Sequence, residues 1–348
     1  MKKPLIVAVV LFLCFTAFAL DMDDMYCSDS HSRRERAMGY TGASVNGTTN
    51  NLFCNPASLY YYNSRRIFYL DFAVRDDIFS PKYGFRLTND PSVALSGQIV
   101  GKNASLAVTT GFSSFRETEQ EDTADYRFEK DADIDAVFAL GKGNFGAGIG
   151  VKAGSGRTSE ASVKNSIRLY EIISKGLFSE SVRDSSMAYV NVRAGVGYKV
   201  GRFDFGLLFD NLIDTRTMGS LSEYKIDYLK DAVCFGLSYS TPEFSKHGRL
   251  NSFACSLNAE AWSFLNSEKA TFRFGAEVKV LFEKSWTIAL RAGTVVPARD
   301  ASDGISTYGI ASQVNNFNIY INAEIPFGWY VNSPEEGIPF TLGCTYSF

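Results

Sequence analysis

The sequence predicts an all-β protein, a 14-stranded antiparallel transmembrane β-barrel preceded by an N-terminal plug, or hatch. Three observations predict it. The chain opens on an export signal, and no later apolar run is long enough to cross a bilayer as a helix. From Arg66 onward, polar and apolar residues alternate with period two. The last alternating stretch stops on an aromatic, Phe348.

Lys2 and Lys3 precede an apolar run from Leu5 to Phe18, and Ala17-Phe18-Ala19 supplies small residues for cleavage, so residues 1–19 are read as a signal peptide. Bulky Phe12 and Leu13 argue against a lipoprotein site at Cys14. With a formal charge of −3 and no basic cluster, the chain has no case for binding nucleic acid. An exported chain rich in aromatics but without a spanning helix still has one way into a membrane. A closed barrel satisfies every backbone group by pairing strand to strand.

The alternation is explicit in four stretches. Ala188, Val190, Val192, Ala194, Val196 and Tyr198 share one face, and Tyr189, Asn191, Arg193, Gly195, Gly197 and Lys199 the other. Phe145, Ala147, Ile149 and Val151 oppose Gly146, Gly148, Gly150 and Lys152. Phe272, Phe274, Ala276 and Val278 oppose Arg273, Gly275, Glu277 and Lys279, and Trp286, Ile288 and Leu290 oppose Thr287, Ala289 and Arg291. A lipid-facing exterior needs the first kind of face and a crowded polar interior the second. Strands are expected at about 66–75, 84–101, 103–115, 126–140, 143–154, 187–199, 202–210, 230–241, 249–262, 269–282, 285–297, 304–313, 316–328 and 338–348. With the C-terminus in the periplasm, the short turns at Lys102, Gly141-Lys142, Gly201, Glu283-Lys284 and Asn315-Asn316 all face inward to that compartment. The long connections, of which 155–186 is the longest, all face out. That loop carries a helical apolar stripe of Val163, Ile167, Tyr170 and Leu177, which fits either a helix packed over the barrel mouth or a landing groove for an apolar ligand.

Residues 20–65 form the expected plug and 66–348 the barrel. Within the plug, Asn55-Pro56-Ala57 has the chemistry of a fixed turn. Pro56 sets its own φ, the Asn55 side chain can bond nearby backbone, and Ala57 packs closely. Cys27 and Cys54 both fall in the plug, and a bridge between them would contribute about 3–4 kcal/mol by loop closure, though five cysteines after cleavage cannot all pair. Inside the barrel, Asp131, Asp133 and Asp135 share one face, with Lys152 and Arg193 on the next two strands.

The runs Ala37-Met38-Gly39-Tyr40-Thr41-Gly42-Ala43 and Asn51-Leu52-Phe53-Cys54-Asn55-Pro56-Ala57-Ser58-Leu59 resemble the N-terminal hatch of the FadL-like outer-membrane transporters of long-chain fatty acids and other hydrophobic compounds. Ser58 stands where that family usually has glycine. The resemblance implies a monomeric fourteen-stranded barrel whose Asn-Pro-Ala hatch, here Asn55, Pro56 and Ala57, gates passive uptake without a cofactor. It also implies an inward kink in the third strand, for which Gly111 is the candidate, and an outer groove on the longest loops, where Ile167 and Tyr170 lie. The run Ile338 to Phe348 resembles the C-terminal strand that barrel insertion machinery reads in outer-membrane proteins.

The expected partners are a hydrophobic ligand such as a long-chain fatty acid, and outer-membrane lipid. Arg193 and Arg291 are the candidate cations for a ligand carboxylate. The alternative is a porin-like channel for small polar solutes or a surface-exposed structural protein such as an adhesin, favoured by the charged interior. An enzyme is not expected, because His31 and His247 are the only histidines and neither falls on a predicted wall strand.

Overall fold

Fourteen strands close on themselves through antiparallel pairs alone. The computed structural model describes residues 37–45, 54–62, 67–80, 84–85, 92–119, 123–164, 183–215, 227–242, 244–245, 250–282, 286–327 and 338–347. In chain order the wall strands are β1 (Ile67–Ser80), β2 (Ser92–Val100), β3 (Ala104–Glu119), β4 (Thr123–Lys142), β5 (Phe145–Lys164), β6 (Arg183–Val200) and β7 (Phe203–Asp214). They continue with β8 (Val233–Ser240), β9 (Leu250–Trp262), β10 (Thr271–Phe282), β11 (Trp286–Pro297), β12 (Ile305–Val314), β13 (Phe317–Pro326) and β14 (Ile338–Ser347). Each pairs with its sequence neighbours, and β14 returns to pair with β1 from Tyr69↔Ser347 to Phe79↔Ile338. The predicted fourteen-stranded barrel is the fold observed.

The side-chain alternation divides as the pattern requires. On β6, Ala188, Val190 and Tyr198 are exposed while Tyr189, Asn191 and Arg193 are buried. On β5, Phe145, Ile149 and Val151 point out, and Gly146, Gly150 and Lys152 point in. A strand slipped by one residue would put Lys152 into lipid, so the register is fixed by which face is apolar. The tight turns between β4 and β5, β6 and β7, and β12 and β13 contain Gly143 (φ 60°), Gly201 (φ 60°) and Asn315 (φ 51°). Left-handed backbone at these points matches the twist of the flanking strands.

Several strands run a few residues beyond their expected ends, as β1 does to Ser80 and β7 to Asp214, and three further boundaries change for identifiable reasons. The segment 155–164 was expected to open an outer loop, but it continues β5, pairing with β4 as far as Thr123↔Lys164. The reason lies in Gly154, which makes room for the ring of Tyr189 from β6 instead of ending the strand. Val163 is therefore a strand residue, whereas Ile167, Tyr170 and Leu177 lie outside the described residues. Residues 230–232 belong to a short helix, α2 (Asp227–Ala232), and not to β8. Asp231 ties that helix to the β9–β10 turn by accepting from Asn266 and Lys269 and, through its carbonyl, from Ser263. Finally β2 begins after Pro91, and Gly84–Phe85 forms only a two-residue ladder with the end of β1. The signal segment, Cys27, His31, His247 and Phe348 lie outside the described residues.

Candidate functional site

The barrel interior is occupied by the chain's own N-terminal segment, in two described stretches, 37–45 and 54–62. Asn55 links them. Its side-chain Nδ2 donates to the Ala43 carbonyl at 2.6 Å, and its Oδ1 accepts the Ala57 N–H at 3.0 Å, an Asx turn. Ser58 and Leu59 donate to the carbonyls of Asn55 and Pro56, so the turn runs straight into a one-turn helix, α1 (Ser58–Tyr61). Asn55, Ala57, Ser58 and Leu59 are all fully buried. Asn55→Ala should loosen this segment by about 1–3 kcal/mol, because it leaves the buried Ala43 carbonyl without that donor. Faster amide exchange at Ala57, with strand amides unchanged, is the expected reading; unaltered exchange would mean that packing alone holds the turn.

The wall is shaped to receive the segment. A belt of inward glycines runs around β5 to β12: Gly148, Gly195, Gly206, Gly236, Gly275, Gly293 and Gly309. A Cβ at Gly148 would strike the Pro56 backbone, at Gly195 the Asn55 side chain, and at Gly206 and Gly236 the backbone of Ala43 and Ser44. At Gly275 and Gly293 it would strike Met38 and Gly39, and at Gly309 the Ala37 methyl. Several are register partners, including Gly148↔Gly195, Gly206↔Gly236 and Gly275↔Gly293, and on β9 the belt is interrupted by Asn258 and Glu260. Gly39 itself adopts φ 73° and Tyr40 φ 57°, which turns the segment as it passes β10 and β11.

Polar side chains hold what the glycines admit. The Glu260 carboxylate on β9 accepts the backbone N–H groups of Gly42 (2.8 Å), Ala43 (3.0 Å) and Ser44 (3.1 Å) and the indole N–H of Trp262 (2.8 Å). Arg273 on β10 donates to the Tyr40 carbonyl at 2.9 Å, with its guanidinium 3.8 Å from the centre of the Trp262 ring. The Thr307 hydroxyl accepts the Gly39 N–H at 2.8 Å, and Asn258 donates to the Thr41 hydroxyl at 3.1 Å. Near the β4–β5 turn, the Tyr61 hydroxyl reaches the carbonyls of Gly197 (2.6 Å) and Asn144 (2.9 Å). Burial pushes that hydroxyl up to about 12, so it stays a donor at physiological pH.

The two candidate cations sit on separate strands, β6 and β11, each already facing a carboxylate. Arg193 is fully buried, and its Nη2 donates to both oxygens of Asp135 at 2.7 Å. Lys152 pairs with Asp133 at 3.6 Å, so the interior pairing expected between these strands is present. Arg291 donates through Nε to Glu277 at 2.7 Å, and Lys279 reaches the other Glu277 oxygen at 3.3 Å. Among the described residues, Nε and Nη1 of Arg193 meet no acceptor. Its guanidinium lies flat against Gly150, one inward position along β6 from Gly195 and the Asn55 side chain. Sequence reasoning placed Arg193 and Asn55 in separate features, and the structure brings them together. At Gly111 the ladders to β2 and β4 are continuous, and the irregularity in β3 falls between Arg116 and Thr118 instead. The kink expected at Gly111 therefore has no break in pairing there, because the residue is held on both sides.

Glu260 and the glycine belt were not singled out from the sequence. The signal was available in the inward positions of the alternating strands, where glycine recurs on one wall after another.

No family model and no curated protein matches the chain. Among solved structures, it is similar to the Ralstonia pickettii toluene transporter TbuX, at 12% identity over 92% of this chain and 98% of that one, with a TM-score of 0.53. It is also similar to the CymD monoaromatic hydrocarbon channel, at 10% identity over 93% and 99% of the two chains, with a TM-score of 0.52. These likenesses establish a shared fold over nearly the full length of both.

Proposed function

We propose that the chain is an outer-membrane transporter of the FadL-like family, exported by a cleaved signal and inserted as a monomer by the barrel insertion machinery. It takes up long-chain fatty acids or other hydrophobic small molecules by diffusion, without a cofactor, as the N-terminal segment moves aside. The observation that carries this reading is the seat of the luminal segment. It lies in a groove of glycines and is held there by hydrogen bonds from a few wall side chains, inside a barrel of the same fold as a toluene transporter and a monoaromatic hydrocarbon channel. Asn55, Pro56 and Ala57 form the gate turn. Ile167 and Tyr170 belong to the outer landing groove, and Arg193, two of whose guanidinium nitrogens meet no acceptor among the described residues, receives a ligand head group beside the gate.

The test is equilibrium binding of a long-chain fatty acid to the refolded protein, beside Arg193→Ala and Arg291→Ala. Saturable binding, weakened about tenfold or more by Arg193→Ala, is expected from loss of a charge-assisted contact. Binding indifferent to both changes would discard the head-group site. No binding would leave the second reading, a channel for small polar solutes, which the buried ion pairs of the lumen favour.

A further inference from the structure

We propose that Glu260 is the latch of the luminal segment, the wall side chain whose grip sets when that segment lets go. This rests on the reading that the segment moves. On β9, at the level where β8 carries Gly236, the wall presents a long acidic side chain. Its carboxylate is buried and accepts from three successive backbone amides, those of Gly42, Ala43 and Ser44. Three consecutive amides converging on one anion form a nest, a concave site whose partial positive charges act together. Thr307 and Asn258 each contribute one bond to the same stretch, so they can slip without freeing it.

The latch is itself braced. Trp262 lies two residues along β9 and donates its indole N–H to the same carboxylate. Arg273 covers the Trp262 ring and holds the Tyr40 carbonyl, so one assembly grips residues 40 to 44 from both ends. Ala43 is also where Asn55 attaches, which makes the grip common to both stretches of the segment. When the carboxylate withdraws, three buried amides lose their acceptor at once. Release is therefore a single cooperative event and not a gradual peeling.

Glu260→Gln tests this with the size of the side chain preserved. The amide has one acceptor oxygen, and its NH2 group points donors at donors. Hydrogen exchange followed by mass spectrometry on the refolded full chain should show protection at residues 42–44 falling roughly 10- to 100-fold, with β8, β9 and β10 still protected. Channel openings in planar bilayers should become correspondingly more frequent. Trp262→Phe, which removes the bracing N–H but keeps an aromatic ring, should lower protection at the same residues by a smaller factor. Unchanged protection at 42–44 in Glu260→Gln overturns the proposal. So does loss spread through the wall strands, which would make Glu260 a staple of the barrel. Should Glu260→Gln fail to refold, Trp262→Phe decides by the same criterion. Exchange is read without ligand, so a loosened 42–44 stretch in a protein that binds no fatty acid would sink the transport reading and leave the latch standing.

Discussion

Gly206→Val should turn a nearly closed barrel into a conducting one. The Cβ would fall on the Ala43 carbonyl, a backbone atom that cannot rotate away, so the whole 42–44 stretch must move off the wall. Moving it strips Glu260 of three amide donors and Asn55 of its acceptor. Each bond to the carboxylate is worth about 1.5–3 kcal/mol, and the set far exceeds what one valine can recover by packing. The wall itself should tolerate the change, because a β-branched residue suits a paired strand better than glycine does. The time-averaged conductance per channel in planar bilayers should rise at least about tenfold, reflecting a shift of about 1.4 kcal/mol or more toward the open state. Gel mobility before and after heating should still report a closed barrel. Wild-type conductance in a correctly folded variant would show that the segment does not occlude the lumen, or that the belt does not seat it.

Asp135→Ala should be among the most destabilising single changes in the wall. Arg193 has no exposure to solvent, and Asp135 holds both close contacts of its Nη2. Removing the acid leaves a buried guanidinium without its counter-charge, which costs about 3–5 kcal/mol. Replacing both together, as Asp135→Leu with Arg193→Met, should recover most of that loss, since a buried pair exchanged for apolar groups of similar volume is often close to neutral. Equilibrium unfolding in urea, in lipid vesicles, gives both values. A single mutant as stable as wild type would mean that water reaches Arg193 readily. Fatty acid should partly restore Asp135→Ala if its carboxylate can enter beside Arg193, because a ligand bound only to the folded state stabilises it. Restoration by the acid and not by an uncharged hydrocarbon would assign the head group to Arg193.

The wall was legible because lipid outside and charge inside impose opposite demands on alternate residues, as on β6, where Val190 and Arg193 fall on opposite sides. The Asn55-Pro56-Ala57 turn was legible for a local reason, since an Asx turn needs only residues two apart. The seat was not. Gly206 meets Ala43 across more than 160 positions of chain, and nothing near Gly206 distinguishes it from a glycine that merely relieves crowding. Glu260 was hidden in the same way, because its partners are backbone amides, which every residue carries. The extension of β5 past residue 154 was hidden for a related reason, since the room that Gly154 makes for Tyr189 depends on a neighbouring strand.

The seam between β1 and β14 has a consequence for how the molecule is assembled. It joins the first wall strand to the last, pairing Tyr69 with Ser347, so the cylinder cannot shut until the last strand has joined the sheet. The luminal segment directly precedes β1 and is tethered beside that seam. Its glycine-lined cradle is built from strands near the middle of the chain, which can pair while the seam is still open. Threading a chain into a finished cylinder would require it to pass a lumen lined by buried ion pairs. The economical order is therefore to lay the segment against an open, curved sheet and zip the seam last. The barrel is then moulded around its own occupant, and the slowest contact to form seals it in.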